Sequence, residues 1–177
     1  MPVVWTVGHG RLSAAAFVAL IAGAGIERVV DVRRYPGSRR FPHFASEAMA
    51  PWLAESALEY EWAPALGGRR RPAPDSPNTG LRNAQFQAYA DHMATAEFRA
   101  AVDELLATAA VRRLAVMCAE TVWWRCHRRL LADHLVLVDG WDVEHLMHDG
   151  RRAAHPVTPG ARQAGGVVRY PGEARLF

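Results

Sequence analysis

Short apolar runs alternate along the chain with segments whose apolar residues recur at helical spacing. The runs that predict strands lie at 3–7, 28–32, 60–62, 114–117 and 141–146. The segments with helical spacing lie at 13–22, 46–58, 86–93, 95–106 and 126–137. Buried strands alternating with helices are typical of parallel sheets covered on both faces. The pattern therefore predicts an α/β fold, with a mostly parallel sheet flanked by helices.

The chain has 177 residues, half of them apolar, which is the size of one average domain. We expect a single domain over 1–177, with its core at 3–146. Residues 147–177 have little apolar periodicity and predict a C-terminal strap with one short extended segment at 167–171. There is no run of roughly 18 apolar residues and no pattern of a signal peptide at the start, so we expect a cytoplasmic protein without a membrane span.

Polar side chains follow three of the predicted strands. His9 follows the first strand, and Asp31 and Arg33 lie at the end of the second. Cys118 and Glu120 lie at the end of the fourth. Because the carboxyl ends of parallel strands meet at one edge of a sheet, where open α/β sheets bind ligands, we expect these groups to share a pocket.

Both cysteines of the chain lie in the segment that joins the fourth strand to the next helix. Cys126 lies at the predicted start of that helix, beside His127 and Arg128, a setting that lowers the pKa of a thiol. Cys118 taken alone could equally be a buried structural cysteine. The candidate catalytic residues are Glu120, Cys118, Asp31, Cys126 and His127.

Alternatives to direct catalysis remain open for these groups. Asp31 could form an ion pair with Arg33 or Arg128, and Glu120 could orient His127 or Arg128. Paired carboxylates could instead cleave a glycosidic bond or hold a divalent cation. Soft ligands for a metal are also present, namely Cys118, Cys126, and His127 or His9. Their spacing is not that of a standard zinc motif. We predict no cofactor, with a divalent metal as the alternative.

All 21 basic residues are arginines, and the formal net charge is +3. A GC-rich genome explains their abundance, but their positions in loops and at helix starts favour anion binding. The candidate substrate-binding residues are His9, Arg33, Arg39, Arg69, Arg128 and Trp124. The last of these could stack on a base or form a lid or dimer contact. The expected partner is a phosphate-bearing ligand, such as a nucleotide, DNA or RNA, and a homodimer is an alternative for the exposed aromatics.

Several short motifs together resemble a known bacterial family. They are Gly-His-Gly at 8–10, Asp-Val-Arg at 31–33, Leu-Gly-Gly-Arg at 66–69, Met-Cys-Ala-Glu at 117–120 and Cys-His-Arg at 126–128. The combination is similar to the family filed as domain of unknown function 488. The resemblance implies a Rossmann-like single domain and implies no settled activity.

The residues themselves favour an enzyme that acts on an anionic substrate, most plausibly a nucleotide or nucleic acid. In this hypothesis arginines hold phosphate, and Glu120 with Asp31 or a cysteine performs a hydrolase or glycosidase-like transferase reaction. Two other classes stay open. One is a non-catalytic nucleotide or nucleic-acid binding module, and the other is a thiol- or metal-dependent enzyme that uses Cys118 and Cys126.

Overall fold

The computed structural model describes residues 2–172. Its main strands are β1 (Val3–Gly8), β2 (Arg28–Asp31), β3 (Glu59–Trp62), β4 (Leu114–Cys118), β5 (Asp142–Leu146) and β6 (Arg152–Ala154). Its helices are α1 (Ala14–Gly23), α2 (Ser46–Ala54), α3 (Ala84–His92), α4 (Ala96–Ala109) and α5 (Arg128–Leu137). Within the described range, no helix combines the length and the apolar character needed to cross a bilayer.

The strands β1 to β6 form one sheet in the order β3-β2-β4-β1-β5-β6. The strands β1 to β5 are parallel to one another, and β6 pairs antiparallel with β5. The predicted α/β fold with a mostly parallel sheet is confirmed. In the dinucleotide-binding fold the first two strands of the chain are neighbours, whereas here β4 lies between β1 and β2. The turn after β4 is therefore flanked by the ends of both strands.

Helices cover both faces of this sheet. On one face, Val30 and Val116 pack in a cluster with Phe98 of α4. On the other face, Val29 packs in a cluster with Phe17 of α1. Neighbouring residues of a strand point to opposite faces, so a strand buried on both sides must be apolar throughout. With both faces covered, the edge formed by the strand ends is where polar side chains can meet a ligand.

Side-chain caps fix where three of the helices begin, and Asn83 caps α3 by accepting the backbone N–H groups of Gln85 and Phe86. Ser13 Oγ accepts the backbone N–H of Ala16 at 3.1 Å, and α1 begins at the next residue, as predicted. Thr95 caps α4 in the same way. The helix predicted at 46–58 ends earlier, at Ala54, because Ala57 adopts a left-handed conformation with φ of 57°.

The C-terminal segment contains more strand than the sequence predicts. Instead of one extended stretch it contains β6, which joins the main sheet, and a hairpin of β7 (Arg162–Ala164) and β8 (Val167–Arg169). Gly165 and Gly166 form the turn with φ values of 60° and 77°, as the two-residue turn of a hairpin requires. The strand β8 falls within the extended segment predicted at 167–171, whereas β6 and β7 are too short to show periodicity and were not predicted. Residues 173–177 of the predicted strap lie outside the described residues.

We predict that Gly8→Ala destabilises the fold. A Cβ at this position would lie 2.7 Å from the carbonyl carbon of Glu120 and 2.9 Å from Arg128 Nη2, so the turn after β4 would be pushed away from β1. The expected loss is about 1–3 kcal/mol, the usual cost of overpacking. Equilibrium unfolding in denaturant measures it.

Gly23→Ala is the matched control, because nothing lies within 4 Å of a Cβ at that helical position. It should leave stability unchanged or raise it by about 0.5–1 kcal/mol. Equal unfolding midpoints for the two variants would contradict the close approach at Gly8.

Candidate active site

The carboxyl ends of β1, β4 and β2 lie side by side. Backbone hydrogen bonds continue past the strands: the N–H of His9 donates to the carbonyl of Cys118 at 2.9 Å, and the N–H of Val32 donates to that of Met117 at 3.0 Å. The three turns are thus held in register with one another. They bring His9, Cys118 and Arg33 to the same edge of the sheet.

A cavity of about 390 Å³ opens at this edge, and we call it the central cavity. Its wall includes five residues that the sequence indicated: His9, Arg33, Arg69, Cys118 and His127. The remaining wall residues come mainly from the loops after β2 and β3: Gly10, Arg34, Tyr35, Gly37, Ser38, Phe41, Gly68 and Ala119. The volume lies within the range of sites for small molecules.

The other sequence-indicated residues lie outside this wall. Three are buried and contact wall residues or their neighbours: Asp31, Cys126 and Arg128. Three are exposed and do not line the cavity: Arg39, Glu120 and Trp124. The structure therefore separates the Glu120 carboxylate from the groups that surround the cavity.

The two neighbouring tryptophans have different environments. Trp123 stacks on His145, with ring centroids 4.2 Å apart. Trp124 meets Trp123 edge to face and is 45% exposed. Only one of two consecutive aromatic side chains can pack inward here, so Trp124 presents its ring to solvent away from the central cavity.

The Asp31 carboxylate fixes the Arg33 guanidinium. Arg33 Nε and Nη2 donate to the two Asp31 oxygens at 2.9 and 2.6 Å, and the Tyr60 hydroxyl donates to Asp31 at 2.7 Å. Arg33 also donates to the carbonyl of Phe44 at 2.7 Å and to His9 Nε2 at 3.3 Å. These bonds use all but one of the guanidinium N–H groups. Asp31 thus positions Arg33, which keeps one donor for a ligand.

His9 is held in the neutral form. Burial, opposed by the bond to Gly10 and assisted by Arg33, lowers the pKa of His9 to about 4. Its Nδ1 donates to the carbonyl of Gly10 at 3.0 Å, and its ring stacks on Phe44 at 4.1 Å. Because the proton is on Nδ1, Nε2 accepts the bond from Arg33. His9 therefore orients Arg33 rather than donating a proton at neutral pH.

The pKa values of Cys118 and Cys126 shift in opposite directions, and a ligand atom of each lies within 4.8 Å of the other. The hydrogen bond between them, followed by burial, raises the pKa of Cys118 well above its usual value. Burial opposes ionisation of Cys126, but the bond from Cys118, with His127 and Arg128, lowers the pKa of Cys126 well below its usual value. Cys126 therefore ionises before Cys118, which lies in the cavity wall.

Arg128 is one of the groups that lower the pKa of Cys126, after Cys118 and His127. Its backbone N–H and its Nε lie 3.5 and 3.4 Å from Cys126 Sγ, and its Nη2 donates to the carbonyl of Glu120. The side chain is 1% exposed. Over residues 2–172, no carboxylate lies within 4 Å of its guanidinium. Because an unpaired buried charge is costly, the ionised Cys126 sulfur is also the counter-charge of Arg128.

The helix that follows begins later than the sequence predicts. We predicted Cys126 and His127 in its first turn, but α5 begins at Arg128 and is preceded by a 3₁₀ turn at Trp123–Arg125. The prediction nevertheless identified the interaction, because the first backbone N–H of α5 points at Cys126 Sγ.

His127 lies in the cavity wall next to the sulfur atoms. Its Nδ1 is 3.6 Å from Cys126 Sγ, and its Nε2 is buried without a hydrogen-bond partner in the described part of the chain. Gly68 lies directly against the ring, since a Cβ there would be 3.0 Å from Nδ1. When Nδ1 donates to the thiolate, Nε2 is an acceptor that a ligand can satisfy.

The same three residues could hold a metal ion. One ligand atom from each of Cys118, Cys126 and His127 lies within 4.8 Å of the others. Zinc uses such a set in catalytic sites with an open fourth position. However, a metal-bound histidine usually donates its second ring N–H to a partner, and Arg128 already donates to Cys126. The residues therefore fit a thiol pair better than a metal.

The sequence did not single out two residues of this site. Arg34 lines the cavity and follows Arg33 directly, so its place in the same loop was a usable signal. Tyr60, which binds Asp31, lies on β3, the edge strand next to β2. Strand positions along a chain do not give strand order in the sheet, so no sequence signal could have paired Tyr60 with Asp31.

The fold and the cavity define an α/β protein with a ligand-sized pocket at the carboxyl edge of a mostly parallel sheet. The family described as Domain of unknown function DUF488 matches residues 13–135, more than half of the chain. The protein belongs to this family, which confirms the resemblance seen in the motifs. Neither the curated proteins nor the solved structures include a significant match.

We predict that one thiolate persists in the folded protein below the pH at which free cysteine ionises, and that Arg128→Met raises its pKa. The variant should raise the pKa of Cys126 by up to about one unit, or ~1.4 kcal/mol. The folded pKa is depressed, so the thiolate's contribution to stability is present above the unfolded-state pKa and is lost as pH falls through the folded one. Far-ultraviolet thiolate absorbance against pH measures the shift.

Arg125→Met is the control, because Arg125 is an exposed arginine one residue before Cys126. It should leave the titration unchanged, and Cys126→Ser should abolish the signal. Equal titrations for Arg128→Met and Arg125→Met would contradict the assigned counter-charge.

Proposed function

We propose that the protein is a thiol-dependent enzyme that acts on a phosphate-bearing substrate of about nucleotide size. The observation that supports it is the arrangement of the two cysteines: Cys118 lines the cavity wall, and Nε of the buried Arg128 lies 3.4 Å from Cys126 Sγ, whose pKa is lowered. Buried structural cysteines are normally protonated and inert, whereas reactive ones lie next to cationic groups. A lowered pKa beside a cavity is typical of a catalytic group.

The pair supports nucleophilic catalysis by Cys118. As Cys118 Sγ attacks an electrophilic atom of the substrate, its proton passes to the Cys126 thiolate along the hydrogen bond between them. The bond from the substrate atom to its leaving group breaks, and the leaving group takes a proton from solvent while Cys126 keeps the proton it accepted. Water then attacks the covalent intermediate: its oxygen bonds to the substrate atom, the bond to Cys118 Sγ breaks, one proton of the water passes to solvent, and Cys126 returns its proton to Cys118. Alternatively, a second substrate takes the transferred group. Protons and charge balance in each step.

The arginines of the central cavity support an anionic substrate. Arg33 has one N–H left for a ligand after its bonds to Asp31, Phe44 and His9. Arg69 also lines the cavity and is exposed. Guanidinium groups bind phosphate oxygens in defined geometry, often with two parallel hydrogen bonds. A phosphate bound between Arg33 and Arg69 would lie inside the central cavity, whose wall also contains Cys118.

The carboxylates are not given a chemical step in this proposal. Asp31 is fully buried, and its oxygens accept bonds from Arg33 and Tyr60. The Glu120 side chain is exposed and outside the cavity wall, and its backbone carbonyl binds Arg128. The hydrolase or transferase chemistry expected from the sequence is therefore assigned to sulfur.

A metal-dependent enzyme is the second candidate, because three ligand atoms of Cys118, Cys126 and His127 lie within 4.8 Å of one another. In that case the metal would polarise a substrate oxygen or activate water. Elemental analysis of protein purified without chelator decides between the two. Stoichiometric zinc bound through these residues would favour the metal enzyme over the thiol mechanism.

We predict that iodoacetamide alkylates the protein at a pH where free cysteine is largely unreactive, because the pKa of Cys126 is lowered well below its usual value. Replacing Cys126 by Ser removes the thiol with the lowered pKa, so alkylation near neutral pH should slow by about tenfold. Adenosine monophosphate should slow the reaction by occupying the cavity, and Arg69→Ala should weaken that protection several-fold. Mass spectrometry of the full chain locates and counts the adduct.

Arg39→Ala is the control for protection, because Arg39 is exposed and outside the cavity wall. Adenosine monophosphate should slow the alkylation of this variant as much as it slows that of the unchanged protein. Alkylation that is insensitive to Cys126→Ser would contradict the thiol mechanism, and alkylation that neither adenosine monophosphate nor inorganic phosphate slows would contradict the substrate class. Ligand binding with no labelled Cys118 intermediate would support the non-catalytic module instead.

A further inference from the structure

A second cavity adjoins the central cavity across one side chain. It has a volume of about 410 Å³, and its wall includes Arg34, Arg70, Arg71, Asp91 and His92. Arg34 also lines the central cavity, so the two cavities share this residue. A ligand that fills the central cavity can therefore continue past Arg34 without leaving the protein surface. We call the second cavity the arginine cavity.

We infer that the substrate is single-stranded nucleic acid, with one unpaired nucleotide in the central cavity and the next phosphate in the arginine cavity. This inference rests on the proposed function, because it extends the ligand assigned to the central cavity. The arginine cavity would then be a second phosphate-binding site, which a mononucleotide substrate would not occupy.

The arginines of the two cavities leave a charge that the described protein does not neutralise. Four arginines around these cavities have no carboxylate within 4 Å in the range 2–172: Arg34, Arg69, Arg70 and Arg71. Arginines on other surfaces, such as Arg39 and Arg125, lack such a partner in the same range, and what distinguishes these four is that they cluster around two adjoining cavities. Neighbouring unpaired guanidinium groups repel one another, and a ligand with successive phosphates removes that repulsion.

Part of this cluster is held in place before any ligand binds. Arg70 donates to the carbonyls of Gly67 and Pro64 at 3.0 and 2.9 Å, and Arg34 Nη1 donates to the carbonyl of Arg69 at 3.0 Å. Burial, with Arg34 next in importance, lowers the pKa of Arg70, consistent with two close positive charges. Side chains that are already ordered lose less entropy on binding, so they favour a ligand of matching phosphate spacing.

The other charged or titratable wall groups do not oppose a phosphate strongly. The Asp91 carboxylate accepts bonds from Ser76 Oγ at 2.7 Å and Asn78 Nδ2 at 2.8 Å, and so is occupied in holding the loop that contains Arg71. Burial lowers the pKa of His92, whose Nε2 donates to a carbonyl at 2.6 Å. The net charge facing the cavity is therefore positive.

An exposed aromatic ring favours nucleic acid over other polyanions. Tyr35 is 59% exposed and lines the central cavity, and Arg34 lies 5.4 Å from its ring centroid. Aromatic rings beside cationic grooves bind single strands by stacking on bases. The central cavity favours an unpaired nucleotide, because its volume of about 390 Å³ has room for one small ligand and not for a base pair.

Fluorescence anisotropy with labelled mononucleotide, dinucleotide and an oligonucleotide of about ten residues tests the inference. The dinucleotide should bind about tenfold tighter than the mononucleotide, with a steeper salt dependence. Arg71→Ala should weaken dinucleotide binding by about three- to tenfold and reduce the salt slope by about one, as expected for a phosphate contact. It should leave mononucleotide binding unchanged.

Arg112→Ala is the charge-matched control, because Arg112 pairs with Glu27 and lies outside both cavities. It should bind every probe as the unchanged protein does. Equal affinities for mononucleotide and dinucleotide, or equal losses for the two variants, would overturn the inference. So would binding of inorganic polyphosphate or duplex DNA as tight as that of the single strand. Binding by Cys118→Ser separates the two claims, since strand binding can persist when the thiol chemistry fails.

Discussion

The contact between the Arg128 side chain and Cys126 Sγ is the interaction on which the rest of the site depends. Arg128 contacts Cys126 Sγ and the carbonyl of Glu120, and so joins the start of α5 to the turn after β4. That turn lies against Gly8 at the end of β1. A charge in the interior is tolerable only with a partner, so removing either member affects both the geometry and the protonation of Cys118.

Much of the fold could be predicted because the central strands are buried on both faces. Such strands must be apolar throughout, and runs such as 28–31 and 114–117 were visible for that reason. The strand order was not visible, since it depends on which helices pack on which face. Among the three-residue strands of the C-terminal segment, β8 falls within the extended segment predicted at 167–171, whereas β6 and β7 were missed because their stability comes from pairing with β5 and with β8. The Gly165-Gly166 pair was a local sequence signal for the hairpin.

The site was predicted in part, and for a physical reason. Cys118, Arg33 and His9 follow parallel strands, so their proximity follows from topology alone. The exposed position of the Glu120 side chain could not be predicted, because the conformation of a single residue in the turn after β4 decides whether a side chain faces the cavity or solvent. The role of Asp31 was also undecided by sequence. Only the coordinates show that its oxygens are taken by Arg33 and Tyr60.

The charges around the central cavity divide into two layers with different effects. In the buried layer, the negative charge of Asp31 offsets the positive charge of Arg33, and the Cys126 sulfur does the same for Arg128. These buried groups therefore contribute little net charge to the cavity wall. The field that a ligand meets therefore comes mainly from the unpaired arginines of the loops after β2 and β3. Because these loops face solvent, their attraction is screened by salt, whereas the sulfur chemistry behind the wall is shielded from it. Binding and reactivity of this site should thus respond differently to ionic strength.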